Sequence, residues 1–92
     1  MIINKTIEDE NIFTPWRLFT EGKNVDVSVS GVSDSTVTLQ RKFKKYGADV
    51  LDVDTWTAND ETYFTVASTA WYRIGVKSGE YGTDTVKVKL VV

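Results

Sequence analysis

From residue 24 to the end of the chain, apolar and polar residues alternate with a period of two, the spacing at which side chains of an extended strand point to opposite faces. Over residues 24–30, Val25, Val27 and Val29 share one face while Asp26, Ser28 and Ser30 share the other, and Gly31 opens a turn through Ser33, Asp34 and Ser35. Residues 36–43 set Val37, Leu39, Arg41 and Phe43 against Thr36, Thr38, Gln40 and Lys42, so Arg41 falls on the apolar side. The run Lys44-Lys45-Tyr46-Gly47 predicts a hairpin loop. Over residues 50–56, Leu51, Val53 and Thr55 oppose Asp52, Asp54 and Trp56, which places Trp56 on the outward face. After a turn at Ala58-Asn59-Asp60, strands are predicted over 61–66, 70–77 and 85–92. In the second of these Tyr72, Ile74 and Val76 point inward and Trp71, Arg73 and Lys77 outward; in the last, Val86, Val88, Leu90 and Val92 oppose Thr85, Lys87 and Lys89.

Short strands separated by regular turn signals predict an all-β fold, an antiparallel β-sandwich with immunoglobulin-like or jelly-roll-like layering and about seven or eight strands. Residues 1–23 differ in character. Ile2 and Ile3 precede an acidic stretch, Glu8-Asp9-Glu10, and then Ile12-Phe13-Thr14-Pro15-Trp16. Pro15 cannot donate to a ladder, so this part is expected to form an N-terminal extended arm and edge strand, with the sandwich core in residues 24–92. Ile2, Ile3, Phe13 and Trp16 are then candidate partner contacts, with core packing as their alternative.

Composition narrows the functions open to the chain. At 92 residues with 41% hydrophobic content, it has room for one core and one domain. The lack of cysteine removes disulfides, thiolate nucleophiles and sulfur-bound zinc, and the lack of histidine removes the commonest general base and transition-metal ligand. No catalytic or metal-binding residues and no cofactor are expected. A net charge of −2 provides no field that would draw the whole molecule to nucleic acid or an anionic membrane. Residues 1–6 lack the apolar segment of a secretory signal, and no apolar run of the roughly 18 residues needed to span a bilayer occurs, so a soluble protein made in the cytoplasm is expected.

Four patterns in the chain carry candidate chemistry. Asp49, Asp52 and Asp54, with Asp60 and Glu61 nearby, have the hard oxygen donors of a calcium site but not the glycine-bearing loop spacing of an EF-hand, and they fit a solvated strand face better. As a glycosidase pair they would need a deep cleft, which a domain of this size rarely builds. The basic run Arg41, Lys42, Lys44 and Lys45 lies beside Phe43 and Tyr46, a mixture suited to single-stranded nucleic acid or to an acidic protein surface; the acidic balance of the chain argues against nucleic acid. Trp16, Trp56 and Trp71, with Tyr63, Tyr72 and Tyr81, are potential sugar-stacking or protein-contact aromatics, with core packing the expectation for most of them, and Trp56 and Trp71 both fall on the parity opposite the aliphatic stripe.

Three segments resemble a group of short β-sandwich proteins encoded among the virion genes of tailed bacteriophages: Asn24-Val25-Asp26-Val27-Ser28-Val29-Ser30-Gly31, Thr36-Val37-Thr38-Leu39-Gln40-Arg41-Lys42-Phe43 and Tyr72-Arg73-Ile74-Gly75-Val76-Lys77-Ser78-Gly79. In that group a strand ending in Ser-Gly is followed by a Val-x-Leu-Gln-Arg-Ser-Phe strand, a loop, a strand leading to a Thr-Ala turn, a Tyr-Arg strand and a valine-rich C-terminal strand. The order is the same here from about residue 12, and Thr57-Ala58 matches the turn. The group's Ser-Phe-Asp-Gly-Gly-x-x-Trp hairpin is replaced by Lys42-Phe43-Lys44-Lys45-Tyr46-Gly47-Ala48-Asp49, which changes what the loop can contact. The resemblance implies a structural role in the virion, decorating or cementing the capsid or forming a small head or tail appendage. It also implies capsid or other virion proteins as partners and a homo-oligomer such as a trimer, and the separate N-terminal segment of a disulfide-free domain suits an arm that adds a strand to an adjacent subunit. Lys44, Lys45, Tyr46, Trp56 and Trp71 join the four N-terminal residues as expected partner contacts. The alternative is a carbohydrate-binding or adhesin-like β-module that uses the aromatic platform.

Overall fold

The computed structural model describes residues 1–92 and contains strands but no helix. The strands are β1 (Ile2–Ile7), β2 (Ile12–Phe13), β3 (Arg17–Phe19), β4 (Asn24–Ser30), β5 (Val37–Lys42), β6 (Leu51–Trp56), β7 (Asp60–Thr65), β8 (Ala70–Val76) and β9 (Val86–Val91). They form two sheets in which every pair is antiparallel, one ordered β1-β9-β4-β7 and the other β2-β8-β5-β6, with β3 pairing β8 beside β2. Taken together, β2 and β3 are one strand position interrupted at Thr14-Pro15-Trp16. Successive positions then alternate between the sheets except at the β5–β6 hairpin, as in a jelly roll, which decides between the two layerings expected from the pattern.

The alternation explains the core. Val25, Val27 and Val29 of β4 and Val86, Val88 and Leu90 of β9 face Leu39 of β5 and Tyr72, Ile74 and Val76 of β8, and all are buried. Phe64 of β7 crosses the gap to Tyr72, with ring centroids 5.1 Å apart, and Phe19 of β3 stacks on the same tyrosine at 5.6 Å. One residue per strand repeat thus contributes to an interior built largely from β-branched side chains, the kind that pack well on a pleated surface.

Two expectations require correction. Residues 1–23 do not hang free as an arm. The β1 strand pairs with β9 from Ile2↔Val91 to Ile7↔Val86, and Ile3 and Ile7 are in the core; β2 and β3 lie along β8. The acidic Glu8-Asp9-Glu10 stretch is the crossover that carries the chain from one sheet to the other. Ile3 is therefore core, while the edge-strand part of the expectation holds: β1 is an edge of the first sheet and β2 and β3 form an edge of the second.

Trp56 is also buried, at 8% exposure, although simple alternation put it outside. The cause is a bulge. On β5, Leu39 pairs with Asp54 but Gln40 pairs with Asp52, so Val53 is the extra residue and the parity of β6 reverses beyond it. Trp56 then faces inward opposite Val37, and its indole N–H donates to Asp60 Oδ2 at 3.1 Å.

Three of the four sheet edges, all but β7, carry features that discourage pairing with other chains. Lys5 occupies the inward parity of β1 between Ile3 and Ile7, β2 and β3 are separated by Pro15, and β6 has its bulge and two aspartates.

Candidate functional site

The outer face of the β2/β3-β8-β5-β6 sheet and the adjoining β5–β6 loop bring together Phe13, Trp16, Lys42, Lys45, Trp71 and Arg73. In register across β8 and β5, Trp71 opposes Lys42, Arg73 opposes Gln40 and Gly75 opposes Thr38; Asp52 of β6 stands on the far side of Gln40. The alternation that points Tyr72 and Ile74 inward necessarily points Trp71, Arg73 and Lys77 outward.

This face is partly roofed. Thr14 ties the interruption between β2 and β3 to β8 twice: its backbone N–H donates to the Ile74 carbonyl at 2.9 Å and its hydroxyl accepts from the Ile74 N–H at 3.1 Å. The chain then turns at Pro15, and Phe13 and Trp16 lie over the sheet. A Cβ on Gly75 would stand 2.6 Å from Phe13 Cα, so only glycine lets this segment approach so closely. The Arg73 guanidinium is held between two rings, 4.0 Å from the Phe13 centroid and 4.5 Å from that of Trp16, while the Lys42 ammonium lies 4.4 Å from Trp16.

A polar chain runs beneath the roof. Arg73 Nε donates to Gln40 Oε1 at 2.8 Å, Gln40 Nε2 donates to Asp52 Oδ1 at 3.0 Å, and Lys77 Nζ donates to Asp52 Oδ2 at 2.7 Å. The hydrogen bonds from Lys77 and then Gln40 hold the Asp52 carboxyl below its usual range, and the bond to Asp52 raises the Lys77 ammonium. Burial lowers the Arg73 guanidinium. These groups satisfy one another, which makes the centre of the face a fixed platform.

Toward the β5–β6 loop the platform becomes open. Lys45 lies 5.6 Å from the Trp71 ring and 5.5 Å from that of Tyr46, and the Arg41 guanidinium lies 4.8 Å from the Phe43 ring. Tyr46 is 89% exposed, Phe43 54% and Leu51 48%. Lys42, Phe43, Lys44, Gly47 and Asp49 line a hollow of about 160 Å³. Arg41, on the apolar parity of β5, lies at the end of the core with its Nε buried and without a hydrogen-bond partner, its guanidinium stacked on Phe43.

Six of the expected contact residues, Phe13, Trp16, Lys44, Lys45, Tyr46 and Trp71, thus gather on this face and its tip. Three do not. Ile2 is exposed on the outer face of the other sheet, opposite Val91, while Ile3 and Trp56 are core. A Trp56–Trp71 platform therefore does not exist. Sequence reasoning named Lys42 only within the basic run and did not single out Gln40 or Arg73. Their polar parity was visible, but their covering by Phe13 and Trp16 depends on a pairing 60 residues distant in sequence, Thr14 to Ile74.

Shallow concavities lie on the outer face of the first sheet. One, of about 340 Å³, is lined by Asn4, Thr6, Ser28, Ser30, Lys87 and Lys89; another, of about 460 Å³, includes Asp26, Glu61 and the 65% exposed Tyr63. The carboxylates once weighed as a cation site are dispersed: Asp52 pairs with Lys77, Asp60 accepts from Trp56 and Glu61 accepts from Ser28, and no three His, Cys, Asp or Glu side chains gather to share a metal ion. Compared with known proteins, the chain gives no significant match to a protein-family model, a curated protein or a solved structure.

Proposed function

We propose that this protein is a non-enzymatic structural component of a tailed-phage virion, decorating or cementing the capsid or forming a small head or tail appendage through protein–protein contacts. The observation that carries the reading is the β5–β6 tip, where Phe43, Tyr46 and Leu51 present apolar surface rimmed by Lys44 and Lys45. Large apolar side chains exposed together on a small domain mark a contact surface. Aromatic residues with nearby cations are the side chains that dominate such contacts. The rigid platform behind them lowers the entropy cost of docking. The three segments similar to phage virion proteins supply the particle as the setting.

The test is co-sedimentation of the purified chain with intact particles from the same source, beside a Phe43→Ser/Tyr46→Ser variant. Saturable binding that weakens at least about tenfold in the variant is expected, because truncating central contacts costs about 2 kcal/mol or more. Absence of wild-type binding to any particle would refute the virion reading. Carbohydrate binding retains one favourable feature, the exposed Tyr63 beside Asp26, Glu61 and Lys89 on the opposite face, where a sugar ring could stack and its hydroxyls find polar partners. Under that reading a glycan array would give hits that Tyr63→Ala removes.

A further inference from the structure

The jelly-roll topology sorts charge by end. The β1–β2, β4–β5, β6–β7 and β8–β9 connections lie together at one end of the sandwich, as the pairings Ile7↔Val86, Ser30↔Lys87, Ile12↔Val76 and Val37↔Trp56 require. They contribute Glu8, Asp9, Glu10, Asp34, Glu80 and Asp84. The one cation among them, Lys77, is already bound to Asp52. Asp34 and Asp84 are held by hydrogen bonds that lace the β4–β5 and β8–β9 loops together: Asp84 accepts from the backbone of Ser33 at 2.7 Å, and Asp34 accepts from the backbone of Thr83 at 2.9 Å. The field of this end is felt at Tyr81, whose phenol is raised by burial and further by Asp84, Glu8, Asp34 and Asp9.

The opposite end carries the reverse sign. Lys44 and Lys45 in the β5–β6 loop, Lys23 in the β3–β4 loop, and Arg17, Arg41 and Lys42 at the adjoining strand ends share this end, against Glu21 and Asp49. A strand of six residues separates the ends by about 20 Å, more than twice the roughly 8 Å Debye length at physiological salt. The two ends therefore do not neutralise each other across the molecule, although the whole chain has a net charge of only −2.

We propose that copies of this chain associate head to tail, the acidic loop end of one seated on the basic, aromatic tip of the next. This deepens the assembly reading and rests on the tip being a protein-contact surface. Charge complementarity selects the occupant. The tip calls for an acidic surface with some apolar content, and the far end of the same chain has both, its six carboxylates surrounding half-buried Val32 and Tyr81. Nucleic acid would meet the same tip but would be repelled by the rest of an acidic molecule. The contact joins two different surfaces, so it repeats from copy to copy and closes into a ring or continues as a fibre, according to the rotation it imposes.

Sedimentation velocity of the purified chain at about 20 mM and about 500 mM salt tests this, because surface charge pairs are strongly screened at the higher value. The wild type is expected to form concentration-dependent oligomers at low salt that dissociate at high salt. Lys44→Glu/Lys45→Glu and Glu8→Lys/Glu80→Lys should each be monomeric while keeping the wild-type far-UV spectrum and melting temperature. An equimolar mixture of the two should associate again, since one retains an intact acidic end and the other an intact tip. A wild type that stays monomeric at low salt, or oligomers that survive both variants, would overturn the proposal. If the chain is monomeric but Lys44→Glu/Lys45→Glu loses particle binding, the head-to-tail contact is wrong and the tip remains a docking site for another virion protein. If neither behaviour depends on the tip, both readings fail.

Discussion

Asp84 shows how one side chain can organise two loops. Its carboxylate accepts from the Ser35 hydroxyl and from the backbone N–H groups of Ser33 and Asp34, while the Ser35 hydroxyl oxygen accepts from Gly82 N–H at 2.9 Å. Burial pushes this carboxyl up, but the hydrogen bonds outweigh burial and hold it well below the usual carboxylate range. A carboxyl that is lower in the folded than in the unfolded state stabilises the fold above the unfolded value, about 3.9, and that contribution fades as pH falls toward the folded value. Asp84→Asn is therefore expected to cost about 1–2 kcal/mol at neutral pH, at the low end for charged hydrogen bonds because the site is partly exposed. Urea titrations at pH 7 and at about pH 2.5 should show the gap between variant and wild type narrowing at the acid value. An equal gap at both would mean that the charge is immaterial.

The elements owe their special features to single residues. Gly75 lets β2 cross close to β8 and lets Phe13 cover the outward face, and the bulge at Val53 turns Trp56 from solvent to core. Gly75→Ala drives Cβ into the Ile12 carbonyl oxygen, so β2 must lift away from β8 and carry Phe13 with it. The expected result is a loss of about 2 kcal/mol or more, the range for overpacking. Loss of the Phe13 and Trp16 contacts to Arg73 should accompany it, read as a shift in the Trp16 indole resonance. An unchanged resonance would show that the roof does not depend on the glycine. Of the strand interiors, those of β4, β8 and β9 were readable from alternation; β6 was misread at Trp56 because a bulge inserts one residue and reverses every later side chain.

For the whole molecule, both ends of the chain are needed to complete the first sheet. β1 pairs with β9, and the Met1 carbonyl accepts from Val92 N–H at 3.0 Å. Ile3 and Ile7 contribute to the same core as Leu90 and Val86. Burying a charge at Ile3 exceeds what a small domain tolerates, so Ile3→Asp should cost more than about 3 kcal/mol and unfold much of the population at 37 °C. Circular dichroism melting gives the answer directly. A folded variant that melts like wild type would return β1 to the status of a dispensable arm.

The chain's own pattern determined the layers. A period of two, many β-branched residues and turn signals at regular intervals leave a sandwich as the way to bury one face of each strand, and they single out Val25, Val27, Leu39, Ile74, Val88 and Leu90 as its interior. Candidate contacts at Lys44, Lys45 and Tyr46 were legible because a hairpin tip lies in the open whatever surrounds it. Only tertiary structure decided that Ile3 is core, that Trp56 turns inward and that Phe13 and Trp16 clasp Arg73. It also decided that the acidic and basic residues separate to opposite ends. Each of these outcomes depends on which strands pair and in what register. Those long-range choices are made by the summed burial of all the strands, and no local window of sequence contains that sum.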